Sequence, residues 1–295
     1  MSRTPRFPQV SASLSRRGAL LGGLAMATSA GSARGAGDPE ATLAPPVLPP
    51  LPPPTELSAA DARRFVALRA RLDGRPVFAI ARGTDEAIVE GRKIAMRGSL
   101  ILQATRAIDL GAGAWGLPYV ETTLATSPST FEYRPEWENP LTGARQKVSP
   151  PAVTLAQLKM AAGGTLANQL QLPNGLTIDY DGHVALQAGP EGSDWAAQYL
   201  HIHIQRPGGA PEDAWVTTTM MQTGRARGGF QPMDSFSASM RPQIPAQLAL
   251  GRRGPLVSSF FGRKYATPDA LRRTLTATQR ALLEPFFDQW RGLLP

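Results

Sequence analysis

Three histidines occur in the 295 residues of this chain, and all fall within one short window: His183, His201 and His203. In Tyr199-Leu200-His201-Ile202-His203-Ile204 the alternation is strict. An extended strand therefore sets Tyr199, His201 and His203 on one face and Leu200, Ile202 and Ile204 on the other. Imidazoles two residues apart on a strand stand roughly 6–7 Å apart at Cα and can converge on one ion. Such a pair is half of a zinc, iron, copper or manganese site. His183 offers a third nitrogen, and Asp179, Asp181 or Glu121 an oxygen. Without a metal, the same face suits acid–base work: His201 and His203 as proton carriers, the Tyr199 hydroxyl beside them, and Asp179 as an orienting group. Trp215, Thr217, Thr219 and Met221 share a face as well. They are expected to line a barrel interior, where small polar and aromatic groups together hold a mostly apolar ligand.

Other patterns carry less. Glu132, Glu136 and Glu138 alternate in a strand-like segment, and an exposed face accounts for them. No Gly-x-Ser-x-Gly elbow, Walker sequence or dinucleotide Gly-x-Gly-x-x-Gly following a strand is present, so esterase-type and nucleotide chemistry find no support. Gly224-Arg225-Ala226-Arg227-Gly228-Gly229 reads as a basic loop rather than a phosphate cradle. The absence of cysteine excludes disulfides, thiolate metal sites, iron–sulfur clusters and a cysteine nucleophile.

The elements that must position these residues are mostly strands. Ser58 and Asp61 form a helix-start pair, and Phe65, Leu68 and Leu72 follow at helical spacing up to Asp73-Gly74. Short strands are predicted from Pro76 to about Lys264, over 76–81, 87–90, 94–107, 119–125, 131–137, 145–148, 165–172, 176–180, 183–187, 196–205, 214–222, 236–240 and 256–261. Asn139-Pro140-Leu141-Thr142-Gly143 and Asp181-Gly182 read as hairpin turns, and Leu155–Ala162 as a short helix. Many short strands without interleaved helices predict an antiparallel β-barrel or sandwich, calycin-like in outline. At the C-terminus, Thr267-Pro268 opens a helical turn, and Thr276 with Gln279 caps a helix over Ala281–Arg291 that Pro285 bends. Its stripe of Leu282, Leu283, Phe286, Phe287 and Trp290 is expected to pack on the sheet or plug a barrel end.

The N-terminus is of a different kind. Ser15-Arg16-Arg17 precedes the apolar stretch Ala19–Ala27, and small residues allow cleavage after Ala30 or Ala33. Arg16 and Arg17 thus read as the pair of a twin-arginine export signal over residues 1–33, with the twin-arginine export machinery as partner and a periplasmic or secreted destination. The apolar stretch is too short to span a bilayer, which takes roughly 20 residues. A linker over 34–56, with eight prolines between Pro39 and Pro54, reads as an extended polyproline spacer, and residues 57–295 as one β-rich domain. Residues 1–37 hold five of the 31 basic residues and no acid, which leaves +3 of the formal +8 for the rest. That remainder has no nucleic-acid footprint. No second stretch approaches membrane-spanning length.

Three segments resemble one family together. Phe65 through Phe78 contains Leu72-Asp73-Gly74 running into a strand, Trp137-Glu138-Asn139-Pro140-Leu141-Thr142-Gly143 forms a central hairpin motif, and Arg241-Pro242-Gln243-Ile244-Pro245 is followed by Gly254-Pro255-Leu256-Val257 and Gly262-Arg263-Lys264. These are similar to an uncharacterised bacterial and fungal family, domain of unknown function 1838, over residues 57–292. That family is aromatic-rich after the Pro-x-x-Pro step, where Ala246-Gln247-Leu248-Ala249-Leu250 stands here. The resemblance implies one coherent exported domain and supplies no chemistry, so no catalytic residue is carried over. Three readings of function follow. The first is a barrel that binds, and converts by acid–base chemistry, a small apolar organic ligand. The second is a metalloenzyme with His183, His201 and His203 as ligands. The third is a non-catalytic envelope protein whose tether and C-terminal helix meet partners.

Overall fold

The computed structural model describes residues 52–294 apart from 172–176, 190–191, 206, 210, 243, 245–247 and 249–253. The export signal and the linker up to Leu51 lie outside the described residues, as do Ala246, Gln247, Ala249 and Leu250.

Ser58 starts helix α1 (Ala59–Arg69), its hydroxyl accepting from the Asp61 N–H at 3.1 Å. Just beyond, Asp73 accepts from Arg71 at 2.9 and 2.6 Å and from Arg75 at 2.9 and 2.6 Å. Both guanidinium groups also donate to the Gly228 carbonyl, at 2.5 and 3.2 Å. The Leu-Asp-Gly turn, with Gly74 at φ 73°, is therefore a clamp that fastens the helix exit to the loop at 224–229. The two arginines hold the Asp73 carboxyl well below the usual carboxylate range.

Thirteen strands follow among the described residues: β1 (Val77–Val89), β2 (Arg92–Thr105), β3 (Ile108–Gly111), β4 (Ala114–Thr126), β5 (Glu136–Glu138), β6 (Arg145–Lys147), β7 (Val153–Met160), β8 (Thr165–Gln171), β9 (Thr177–Ala188), β10 (Asp194–Gln205), β11 (Glu212–Gln222), β12 (Met233–Arg241) and β13 (Leu256–Tyr265). Helices α2 (Pro268–Arg272) and α3 (Ala277–Leu293) end the chain. Ten strands close an antiparallel barrel in the order β2-β1-β13-β12-β11-β10-β9-β8-β7-β4, with β4 pairing back onto β2. Closure leaves none of the ten with a free edge. Strand β3 hangs on β4, and β5–β6 is a separate hairpin. Trp137 donates to the Met96 carbonyl at 2.6 Å, and buried Asn139 donates to the Leu248 carbonyl at 2.5 Å, so this hairpin motif is an anchor.

The wall is built in two senses. On β9, β10 and β11 the apolar residues Ile178, Leu200, Ile202 and Val216 are buried in one cluster with Phe65, Val66 and Leu68 of α1, which packs across β9–β11. On β1, β2 and β4, Phe78, Leu100, Leu102, Val120 and Leu124 instead join Leu283, Phe286, Phe287 and Trp290 of α3. The alternate residues of these strands line the interior. The C-terminal stripe therefore packs on the outer wall, and the capping box of Thr276 and Gln279 forms as expected.

Three local expectations are corrected. In the segment Leu155–Ala162, residues up to Met160 are strand rather than helix: pairing to β4 buries Ala156, Leu158 and Met160 at period two, and this tertiary context overrides good helix formers. Asp181-Gly182 is not a turn but the middle of β9, where Gly182 pairs with Leu200. A Cβ there would sit 2.0 Å from the Tyr199 carbonyl oxygen, so the glycine serves close strand approach. Segments 76–81 and 87–90 fall on one strand, β1, whose register with β2 shifts at Asp85/Glu86 because Met96 is an extra residue on β2.

Candidate functional site

A cavity of about 130 Å³ lies inside the barrel, walled by β1, β2, β4 and β9–β13 and reached by Arg69 from the last turn of α1. Its apolar lining includes Val77, Ile101, Leu200, Ile202, Met220 and Phe260. Its polar lining includes Arg69, Gln103, Tyr119, Glu121, Tyr180 and Gln198. A cavity of this size is close to the roughly 150 Å³ void that takes up a benzene molecule, but this one carries polar groups.

Strand register sets the polar lining. Gln103 on β2 is directly opposite Glu121 on β4, and its amide donates to the carboxyl at 2.5 Å. Burial pushes Glu121 up to about 7 from 4.5, against the opposing pull of that hydrogen bond and of the Arg69 charge. Tyr119, one inward position along β4, is hydrogen-bonded to Tyr180, and burial raises both phenols, Tyr180 to about 12. Arg69 is drawn down by burial, with the charges of Tyr119 and Glu121 opposing. Its Nε and the Oε1 of Gln198 are buried without a hydrogen-bond partner among the described residues. Arg69 thus holds a free donor, and Gln198, 2% exposed, a free acceptor in the same lining.

Lys264 closes this end. Its ammonium donates to the carbonyls of Ala67 (2.9 Å), Leu68 and Ala70 (3.3 Å), the last carbonyls of α1, and lies 5.3 Å from the Phe230 ring. Burial, then the Arg71 and Arg69 charges, push it down to about 7. The three carbonyls use all three of its protons, so it caps the helix rather than serving the cavity.

The face singled out by sequence lies on the other side of the wall. Tyr199, His201 and His203 point outward from β10, and Trp215, Thr217, Thr219 and Met221 outward from β11, while Gln198, Leu200, Ile202, Thr218 and Met220 take the interior positions. The expectation that Trp215, Thr217 and Thr219 line the interior is thus reversed by one residue of phase. Asp179 is also outward, opposite His203. The structure does bring His201 and His203 together, with ring centroids 3.9 Å apart, beside Asp181 and Asp213. His183 stays apart from that group: it is buried, 5.0 Å from the Tyr199 ring, and burial lowers its pKa. Glu121, considered as an oxygen ligand, is inside the barrel and away from the histidines. Glu136 and Glu138 are exposed, and Glu138 pairs with Arg145 at 2.9 Å.

Sequence reasoning passed over Arg69, Gln103, Tyr119, Tyr180 and Gln198, and considered Glu121 only as a metal ligand. The one available signal was Arg69 next to the buried stripe of an otherwise apolar helix face. Fold and site together define a closed antiparallel β-barrel with an amphipathic interior. No family model matches the chain, and no curated protein or solved structure does.

Proposed function

We propose that this chain is an exported member of the domain of unknown function 1838 family whose barrel binds a small organic molecule, and that Glu121 exchanges a proton with it. The ligand has an apolar body and a head that pairs a carbonyl oxygen, accepting from Arg69, with a hydroxyl, donating to Gln198. The carrying observation is the unpaired Nε of Arg69 and Oε1 of Gln198 on the wall of a cavity that also holds Glu121. Buried polar atoms without partners are uncommon, and a bound head group would satisfy both.

A carboxyl poised near 7 supplies either protonation state at neutral pH, which general acid–base catalysis requires. With a carbonyl oxygen against Arg69, the Glu121 carboxylate takes a proton from the adjacent carbon. The guanidinium stabilises the enolate oxygen, and the protonated carboxyl returns the proton to the same carbon or, where the ligand is β,γ-unsaturated, to its γ carbon, an isomerisation. The apolar wall of Leu200, Ile202 and Met220 keeps water from the anion.

Native mass spectrometry of protein recovered from the periplasm tests the binding: a co-purifying organic molecule, lost in Arg69→Leu, is expected. Glu121→Gln is expected to keep the molecule and to abolish its exchange of carbon-bound hydrogen for deuterium. Exchange undiminished in Glu121→Gln would refute the acid–base role, and binding undiminished in Arg69→Leu would refute the site. The reading in which the C-terminal helix meets a partner loses its main support, because the stripe of α3 is covered by β1, β2 and β4.

A further inference from the structure

The outer wall carries a second site, independent of the cavity. We propose that Asp181, His201 and His203 bind a divalent first-row transition metal, with Asp213 as the positioning residue that orients the His203 imidazole.

The ligands come from two neighbouring strands in fixed register. Asp181 on β9 is opposite His201 on β10, and His203 is two residues further along the same outward face. One donor atom from each lies within 4.8 Å of the others. Asp181 Oδ1 is 3.3 Å from His203 Nε2 and 3.8 Å from His201 Nδ1. A tetrahedral ion with bonds of about 2.0–2.1 Å places its donors roughly 3.3–3.4 Å apart. The Asp181–His203 pair already has that spacing, and the wider pairs, up to 4.8 Å, reach it by side-chain rotation.

Asp213, on β11 and directly opposite His203, faces the other nitrogens: 2.7 Å from His203 Nδ1 and 3.4 Å from His201 Nε2. A carboxylate accepting from Nδ1–H fixes the tautomer and leaves Nε2 of His203 as a lone pair aimed toward Asp181. This is the carboxylate–histidine–metal relation found at many metal sites. The Trp215 ring stacks on His201 at 4.5 Å and 22°, which holds that imidazole in place. Two nitrogens and one carboxylate oxygen favour zinc, copper, nickel or cobalt over calcium or magnesium, which take oxygen donors. His203 and Asp181 are 48% and 63% exposed at the side chain, so water completes the coordination.

The test is equilibrium dialysis of the EDTA-stripped full chain against Zn²⁺, with Co²⁺ substitution read by visible absorption. One equivalent per chain is expected, together with the strong absorption bands of tetrahedral cobalt. His203→Ala and Asp181→Asn are each expected to weaken uptake at least tenfold, and Asp213→Asn by about 10–100-fold. His183→Gln is expected to leave it unchanged. All three site variants lie on the exposed face, and circular dichroism checks that each folds. No uptake by the wild type, uptake that survives His203→Ala with Asp181→Asn, or loss in His183→Gln would each overturn the assignment.

Discussion

Replacing Glu121 with Gln should flatten part of the dependence of stability on pH, by an amount that follows from its burial. Its carboxyl moves from 4.5 to about 7 on folding. A raised pKa means that the folded barrel binds the proton more tightly than the unfolded chain does. This contribution to stability is therefore complete below pH 4.5 and is lost as pH rises through 7. At about 1.36 kcal/mol per pH unit, the loss between pH 4 and 8 is about 3 kcal/mol. Glutamine keeps the shape and still accepts from the Gln103 amide, but carries no proton to lose. Stability of Glu121→Gln relative to wild type should thus improve by about 3 kcal/mol from pH 4 to pH 8. Lys264 has the opposite slope: its pKa is depressed to about 7 from 10.5, so its contribution grows as pH rises between those values. It is present in both proteins and drops out of the difference. Urea unfolding of the pair at several pH values measures the effect. A difference that does not change with pH would refute the claim that this carboxyl is buried and proton-binding.

Further outcomes follow from neighbouring contacts. Arg69→Met removes a charge that lowers the Glu121 pKa, so the midpoint of the wild-type pH–stability profile should move to higher pH. Lys264→Met leaves three carbonyls at the end of α1 without a donor and should cost about 3 kcal/mol at pH 6, read by urea unfolding. Gly182→Ala forces a methyl to within 2.0 Å of the Tyr199 carbonyl oxygen and should cost about 3 kcal/mol or more, seen as a lowered thermal midpoint. The proposed export signal predicts that replacing Arg16 and Arg17 together by Lys retains the protein in the cytoplasm, which fractionation and immunoblotting detect.

Local chemistry was legible in the sequence wherever it is short-ranged. The caps at Ser58 and Thr276, the hairpin around Asn139, and the alternation of β10 all depend on residues a few positions apart. Asp181-Gly182 misled because its turn-forming types stand where close approach of β10, not a bend, requires glycine. Leu155–Ala162 misled because leucine, alanine, glutamine, lysine and methionine suit a helix, and only pairing to a strand some 35 residues earlier decides otherwise. The interior polar group was illegible for a related reason. Arg69, Gln103, Glu121, Tyr180 and Gln198 sit on five different elements, and no spacing in the chain connects them.

A different question would have found them: which face of each strand has something to cover it. Helix α3 carries an apolar stripe that must be buried, and a closed barrel offers it only an outer wall. Strands under that helix must therefore turn apolar residues outward, as Leu100, Leu102, Val120 and Leu124 do. Alternation then sends Gln103, Tyr119 and Glu121 inside. On β9–β11 the packed helix, α1, meets the inward apolar residues, and the outward face carries His201, His203, Asp181 and Asp213 toward solvent. The amphipathic cavity is a consequence of this switch in sense around one wall. Its polar lining joins Gln103, Tyr119 and Glu121 of the covered strands to Tyr180 and Gln198 of the strands whose outer face is wet. The same rule puts the histidine cluster outside the barrel and Glu121 within it, so whatever chemistry each performs is separated by the thickness of a single sheet.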